Sequence, residues 1–136
     1  MRIFRRKPKD TPTPVNPALS DPDTYPTPQA ASDYINRGYL YYSKDRLAEA
    51  EADFREAIAL DTSDVNAYYG LGMTLKSQKK NDESAQTFQK VISLVEAGTV
   101  EDKIKATMLR RLALGHINEI QQGDWNLEKE IWHRVE

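Results

Sequence analysis

The chain has no cysteine, which excludes disulfides, thiolate metal sites and a cysteine nucleophile, and fits a reducing, cytoplasmic setting. It has no run approaching the ~20 apolar residues of a membrane span. The basic start is not followed by an apolar stretch, so no secretory signal is expected there. Proline is absent after residue 28, because all seven prolines fall within residues 1–30. Charge of one sign is not in excess either: the net charge of −2 argues against DNA as a partner. There is no glycine-rich phosphate loop and no Ser-His-Asp arrangement, so neither an enzyme nor a cofactor is expected. His116-x-x-Glu119 and Glu130-x-x-His133 each place a histidine and a carboxylate on one helical face. A di-iron bundle needs two Glu-x-x-His motifs and two further glutamates. Only one correctly oriented motif exists, so no metal is expected and surface ion pairs are the simpler reading.

What is present divides the chain in two. Residues 1–30 carry five Lys/Arg and three Asp, while residues 31–136 carry fourteen Lys/Arg and eighteen Asp/Glu. The proline spacing from Pro8 to Pro28 blocks helix and sheet, because each proline lacks an N–H and pushes its predecessor out of the α region. A disordered basic, proline-rich tail over 1–30 is expected. Arg2, Arg5, Arg6, Lys7 and Lys9 around Ile3 and Phe4 offer a weak anchor for an anionic membrane surface or RNA. A solubilising start peptide is the plainer reading.

From Ser32 the chain writes one pattern twice. Tyr34, Gly38, Phe54 and Ile58 recur as Tyr68, Gly72, Phe88 and Ile92, each 34 residues on. Such a period signals stacked units, each burying its apolar face on the next. Apolar residues at helical spacing predict a helix from Ser32 or Asp33, one of which caps it, and a second helix capped by Asp45 and ending near Leu60. A third helix is expected over 64–78, a fourth over 82–96 and a fifth over 100–121. Gly98 stops the fourth, and Thr99-x-x-Asp102 reads as a capping pair for the fifth. A short sixth follows Gly123-Asp124. Gly38, Gly72 and Gly115 fall mid-helix, where glycine costs about 1 kcal/mol against alanine. A repeated cost of that kind implies close approach of a partner helix.

These residues resemble the tetratricopeptide repeat family, whose 34-residue helix–turn–helix units carry an aromatic, a Leu-Gly pair, a Tyr, then Ala, Phe and Ala. The first unit matches through Tyr34, Gly38, Tyr41, Ala50, Phe54 and Ala57, with Arg37 where Leu is usual. The second matches through Tyr68, Leu71, Gly72 and Phe88, with Leu75, Ser84 and Val91 departing from the pattern. In a looser third unit Leu114-Gly115 is the pair and Trp132 takes the Phe place. The resemblance implies an all-α, right-handed superhelical stack of three units, about 31–64, 65–98 and 99–136. It specifies fold better than function.

The resemblance further implies a concave groove lined by the first helix of each unit: Ile35, Tyr39 and Tyr42, with Ser32 beside them; Asn66, Tyr69, Met73 and Lys76; and Leu112 and His116, with Glu119 beside them. Tyr39, Tyr42 and Tyr69 lie off the packing stripe, and Tyr and Met suit adaptable binding surfaces. The positions that grip C-terminal carboxylates in one subfamily hold Ile35, Tyr39 and Gly70, so an apolar or aromatic-rich peptide or helix of another protein is the expected ligand. Leu127, Ile131, Trp132 and Val135 at the C-terminal end form a possible oligomer or partner face. The expected function is that of a non-catalytic interaction adaptor. The alternatives are a membrane- or RNA-associated assembly factor tethered by the basic head, and a structural homo-oligomer joined by the C-terminal helix, its groove filled by Val15, Leu19 and Tyr25 of the tail.

Overall fold

A computed structural model describes residues 19–125. Five helices follow in order: α1 (Ala31–Ser43), α2 (Leu47–Leu60), α3 (Val65–Ser77), α4 (Asn81–Glu96) and α5 (Lys103–Gln122). Helices α1 and α2 form one hairpin and α3 and α4 the next. Helix α2 packs on α3, α4 packs on α5, and α1 also lies beside α3. The result is an all-α solenoid.

The ends of the helices are set by local chemistry, and not always by the residues the sequence suggests. Asp33 does not cap α1 from its start. It sits one turn in and reaches back, its carboxylate accepting from the N–H groups of Gln29 and Ala30 at 3.1 and 3.2 Å. Asp45 is not the cap of α2 either; Arg46 precedes that helix with no side-chain cap. Asp45 instead takes φ +60°, and the N–H groups of Asp45 and Arg46 close α1 on the carbonyls of Tyr42 and Tyr41. Lys79, 34 residues on, repeats this with φ +65°, and the N–H groups of Lys79 and Lys80 close α3 on the carbonyls of Lys76 and Leu75. Gly98 does the same for α4 with φ +79°, where glycine alone has no Cβ penalty. Thr99 belongs to that closure, its hydroxyl donating to the Leu94 carbonyl at 2.7 Å. Asp102 alone caps α5, accepting from the N–H groups of Ile104 and Lys105.

Residues 19–30, which the proline spacing places in a disordered tail, lie against the first hairpin. Pro22 and Pro28 are buried, Asp23 pairs with Arg46 at 2.8 Å and Asp21 with Lys44 at 3.8 Å. The basic head, Val15 and the apolar C-terminal set Leu127, Ile131, Trp132 and Val135 lie outside the described residues.

The core consists of two clusters, each built on one phenylalanine. Phe54 of α2 is fully buried among Ile35, Ala50, Ala57, Ala67, Leu71 and Leu75. Its ring is wedged between two glycines, Gly38 of its own hairpin and Gly70 of the next. A Cβ on Gly38 would lie 3.0 Å from the ring, and one on Gly70 would overlap it outright. Phe88 of α4 repeats the arrangement against Gly72, where a Cβ would come to 2.9 Å. The mid-helix glycines thus admit a ring rather than a helix backbone. Buried hydroxyls are satisfied locally: Ser84, where alanine is usual, donates to the Gly72 carbonyl, and Thr74 to that of Gly70, both at 2.8 Å.

Overpacking a close-fitted core costs about 1–3 kcal/mol, whereas alanine gains about 1 kcal/mol over glycine in a helix. Gly70→Ala is therefore expected to lose about 2 kcal/mol in urea denaturation, because the ring must move. Gly38→Ala, with contact at the margin, is expected within about 1 kcal/mol of the parent.

Candidate protein-binding face

The first helices of the two hairpins, α1 and α3, lie side by side, with α5 following α3 in the stack. The side chains on their shared face are set by the core beneath. Tyr39 stands edge-on to Phe54, with centroids 5.0 Å apart, and Tyr69 edge-on to Phe88 at 5.7 Å. These two rings are therefore not surplus to packing, as their place off the apolar stripe suggests. They form the upper layer of the core and present their polar tips to the next unit. The Tyr39 hydroxyl donates to the Asn66 carbonyl, and the Tyr42 and Ser77 hydroxyls share a hydrogen bond, each at 3.3 Å. Burial pushes both the Tyr39 and the Tyr69 hydroxyls above the usual tyrosine range.

The α3–α5 junction carries the densest polar arrangement on this face. The Lys76 ammonium lies 3.0 Å from His116 Nδ1 and 2.8 Å from Glu119 Oε2. His116 Nε2 lies 3.2 Å from the Tyr69 hydroxyl. An ammonium can only donate, so Nδ1 accepts and the ring hydrogen sits on Nε2, donating to Tyr69. That leaves the Tyr69 hydroxyl its own hydrogen to give elsewhere. His116 is buried and stacks on Phe88 at 4.7 Å, so it is not the exposed member of a surface ion pair with Glu119. Burial, and then the Lys76 charge, push its pKa down to about 4, against a smaller opposing pull from Glu119. The hydrogen bond from Lys76 holds the Glu119 carboxyl below its usual range.

Of the positions expected to line the groove, the structure brings Tyr69 and Lys76 each into contact with His116 and places Tyr39 and Tyr42 next to α3. Met73 is half-buried against the second core cluster. Ile35 is buried in the first core cluster and offers little surface. Leu112 stands apart, with Ile104 and Met108 on another side of α5. Two participants escape a reading of the repeat pattern. Ser77 is one. The other is Trp125, whose ring occupies the space left by Gly115, edge-on to His116 at 4.7 Å. Asn118 holds it there through the Trp125 carbonyl, at 3.1 Å. Trp132, expected in the Phe place of the third unit, lies outside the described residues.

Comparison with known proteins agrees with this architecture. A TPR repeat family model matches residues 38–79. A second tetratricopeptide repeat model matches residues 65–95. Residues 38–95 are tetratricopeptide repeats. Among solved structures it is similar to the crystal structure of MamA, with 28% identity and a TM-score of 0.52 over 79% of this chain. The chain spans 62% of the MamA chain. No curated protein matches it.

The departures from the tetratricopeptide pattern have physical reasons. Arg37, in the place of leucine, makes a bidentate pair with Asp53 on α2, both bonds 2.8 Å, and lies near the rings of Tyr34 and Tyr41. Asp53 is almost wholly buried, so the planar guanidinium fork satisfies a carboxylate that would otherwise be costly. Gly70 is kept free of a side chain by the Phe54 ring.

The low pKa of His116 gives a signed prediction. The unfolded histidine protonates near pH 6.5, the folded one only near 4. The stabilisation is therefore complete above about pH 6.5, declines as the pH falls, and is gone below about 4. Between pH 7 and pH 5 the parent is expected to lose on the order of 1–2 kcal/mol from this group. His116→Gln should show a flatter dependence in urea titrations across that range.

Proposed function

We propose that this chain is a non-catalytic adaptor that holds a peptide segment or helix of another protein on the face formed by α1, α3 and α5. Tetratricopeptide repeats generally mediate protein–protein interaction. No helix among the described residues is long and apolar enough to cross a membrane. The observation that carries the finer reading is the fixing of the tyrosine tips by the neighbouring unit, Tyr39 to Asn66, Tyr42 to Ser77 and Tyr69 to His116. Aromatic groups already held in place lose little entropy on binding, and that loss is a main cost of association. Tyr42 and Met73 supply half-exposed apolar surface beside them, and the Tyr69 hydroxyl supplies a donor for a partner's backbone carbonyl.

Replacing Tyr39 or Tyr69 by alanine would strip rings off Phe54 and Phe88, so loss of binding there would also report loss of packing. Tyr42→Ala with Met73→Ala is the cleaner pair. Peptides selected from a displayed library against the parent protein are expected to bind this double variant at least roughly tenfold more weakly, with the urea midpoint lowered less than by Tyr39→Ala or Tyr69→Ala and helix content in water unchanged. If every selected peptide binds parent and variant equally, the face is assigned wrongly.

A further inference from the structure

A second surface lies on the side of α5 turned away from its packing face. Helix α5 buries Leu109, Ala113 and Ile117 against α4. On the opposite side Ile104 is 83% and Met108 52% exposed, and Leu112 continues the line one turn further. The three residues, at i, i+4 and i+8, make an apolar stripe roughly 12 Å long. With Lys103, Thr107 and Arg111 they line an open depression of about 640 Å³. Single exposed apolar residues are ordinary, whereas a contiguous row rimmed by charge marks an interaction site.

The rim identifies the partner. Both charged residues of the depression among the described residues, Lys103 and Arg111, are cations, and neither has an ion-pair partner among the described residues. Their neighbour Arg110 differs, facing Glu96 at 3.7 Å. Cations spaced along one side of a straight apolar row complement a helix with one apolar stripe and carboxylates beside it. We propose that the outward face of α5 docks an acidic amphipathic helix of a partner protein, its stripe on Ile104, Met108 and Leu112 and its carboxylates on Lys103 and Arg111. This seat is separate from the tyrosine face and does not depend on it.

The test uses the full chain and two labelled synthetic helices carrying the same leucine stripe, one flanked by glutamate and one by lysine. Fluorescence anisotropy is expected to show the glutamate helix binding at least roughly tenfold more tightly, with affinity falling as salt rises. Lys103→Glu with Arg111→Glu should reverse the preference. Ile104→Asp with Met108→Asp should abolish binding, with helix content unchanged because both side chains are exposed. Equal binding of the two helices, or binding that survives Ile104→Asp with Met108→Asp, would overturn the proposal. A self-association in sedimentation that these substitutions remove would place a second copy there instead. Co-sedimentation with phosphatidylserine vesicles that is lost in the same variants would place lipid there, and either result would refute a protein helix as the occupant.

Discussion

One steric fit governs the structure: a phenylalanine ring seated where two helices lack a Cβ. Phe54 touches Gly38 within its own hairpin and Gly70 in the next, so a single side chain joins the two units. Truncating a buried phenylalanine costs about 3–5 kcal/mol. A ring that bridges two units places that energy at their junction, where a linear stack is weakest. Phe88 does the same work one step along, with Gly72 beneath it and the His116 imidazole stacked on its face.

The same fit positions the face proposed for binding. Because each phenylalanine sits so close to the first helices, Tyr39 and Tyr69 can lie edge-on above it and extend their hydroxyls to the following unit. Packing and polar contact are thus linked in series. At the far end the series changes character. Trp125 fills the Gly115 space, and Lys76 ties the buried neutral His116 to the exposed Glu119. The outward side of α5 is left with apolar and cationic residues that nothing among the described residues pairs with.

The 34-residue step was readable because Tyr34, Gly38, Phe54 and Ile58 have the same jobs as their counterparts in the next unit. Helix order and the all-α solenoid followed from it. What stayed hidden acts between units or through the backbone. Gly70 meets a ring from the preceding hairpin, a contact that offsets within a unit do not encode. Asp45 and Lys79 adopt positive φ without being residues that signal it, so Asp45 read as a cap. Thr99 and Asp102 looked like one capping pair and serve two different helices. The proline spacing over 19–30 correctly denied helix and sheet there, but extended chain can still pack, as buried Pro22 and Pro28 and the Asp23–Arg46 pair show. On the face itself, the residue types at Tyr69, Lys76 and His116 were visible, but not that they would bond to one another. That depended on how far α5 is displaced by the longer α4–α5 connection.

Native-state hydrogen exchange on Phe54→Ala examines the bridging ring most directly. If the ring couples the hairpins, protection should fall together in α1, α2 and α3, while the part of α5 packed on α4 keeps more of its own. Loss confined to α1 and α2, with α3 as protected as in the parent, would contradict the account.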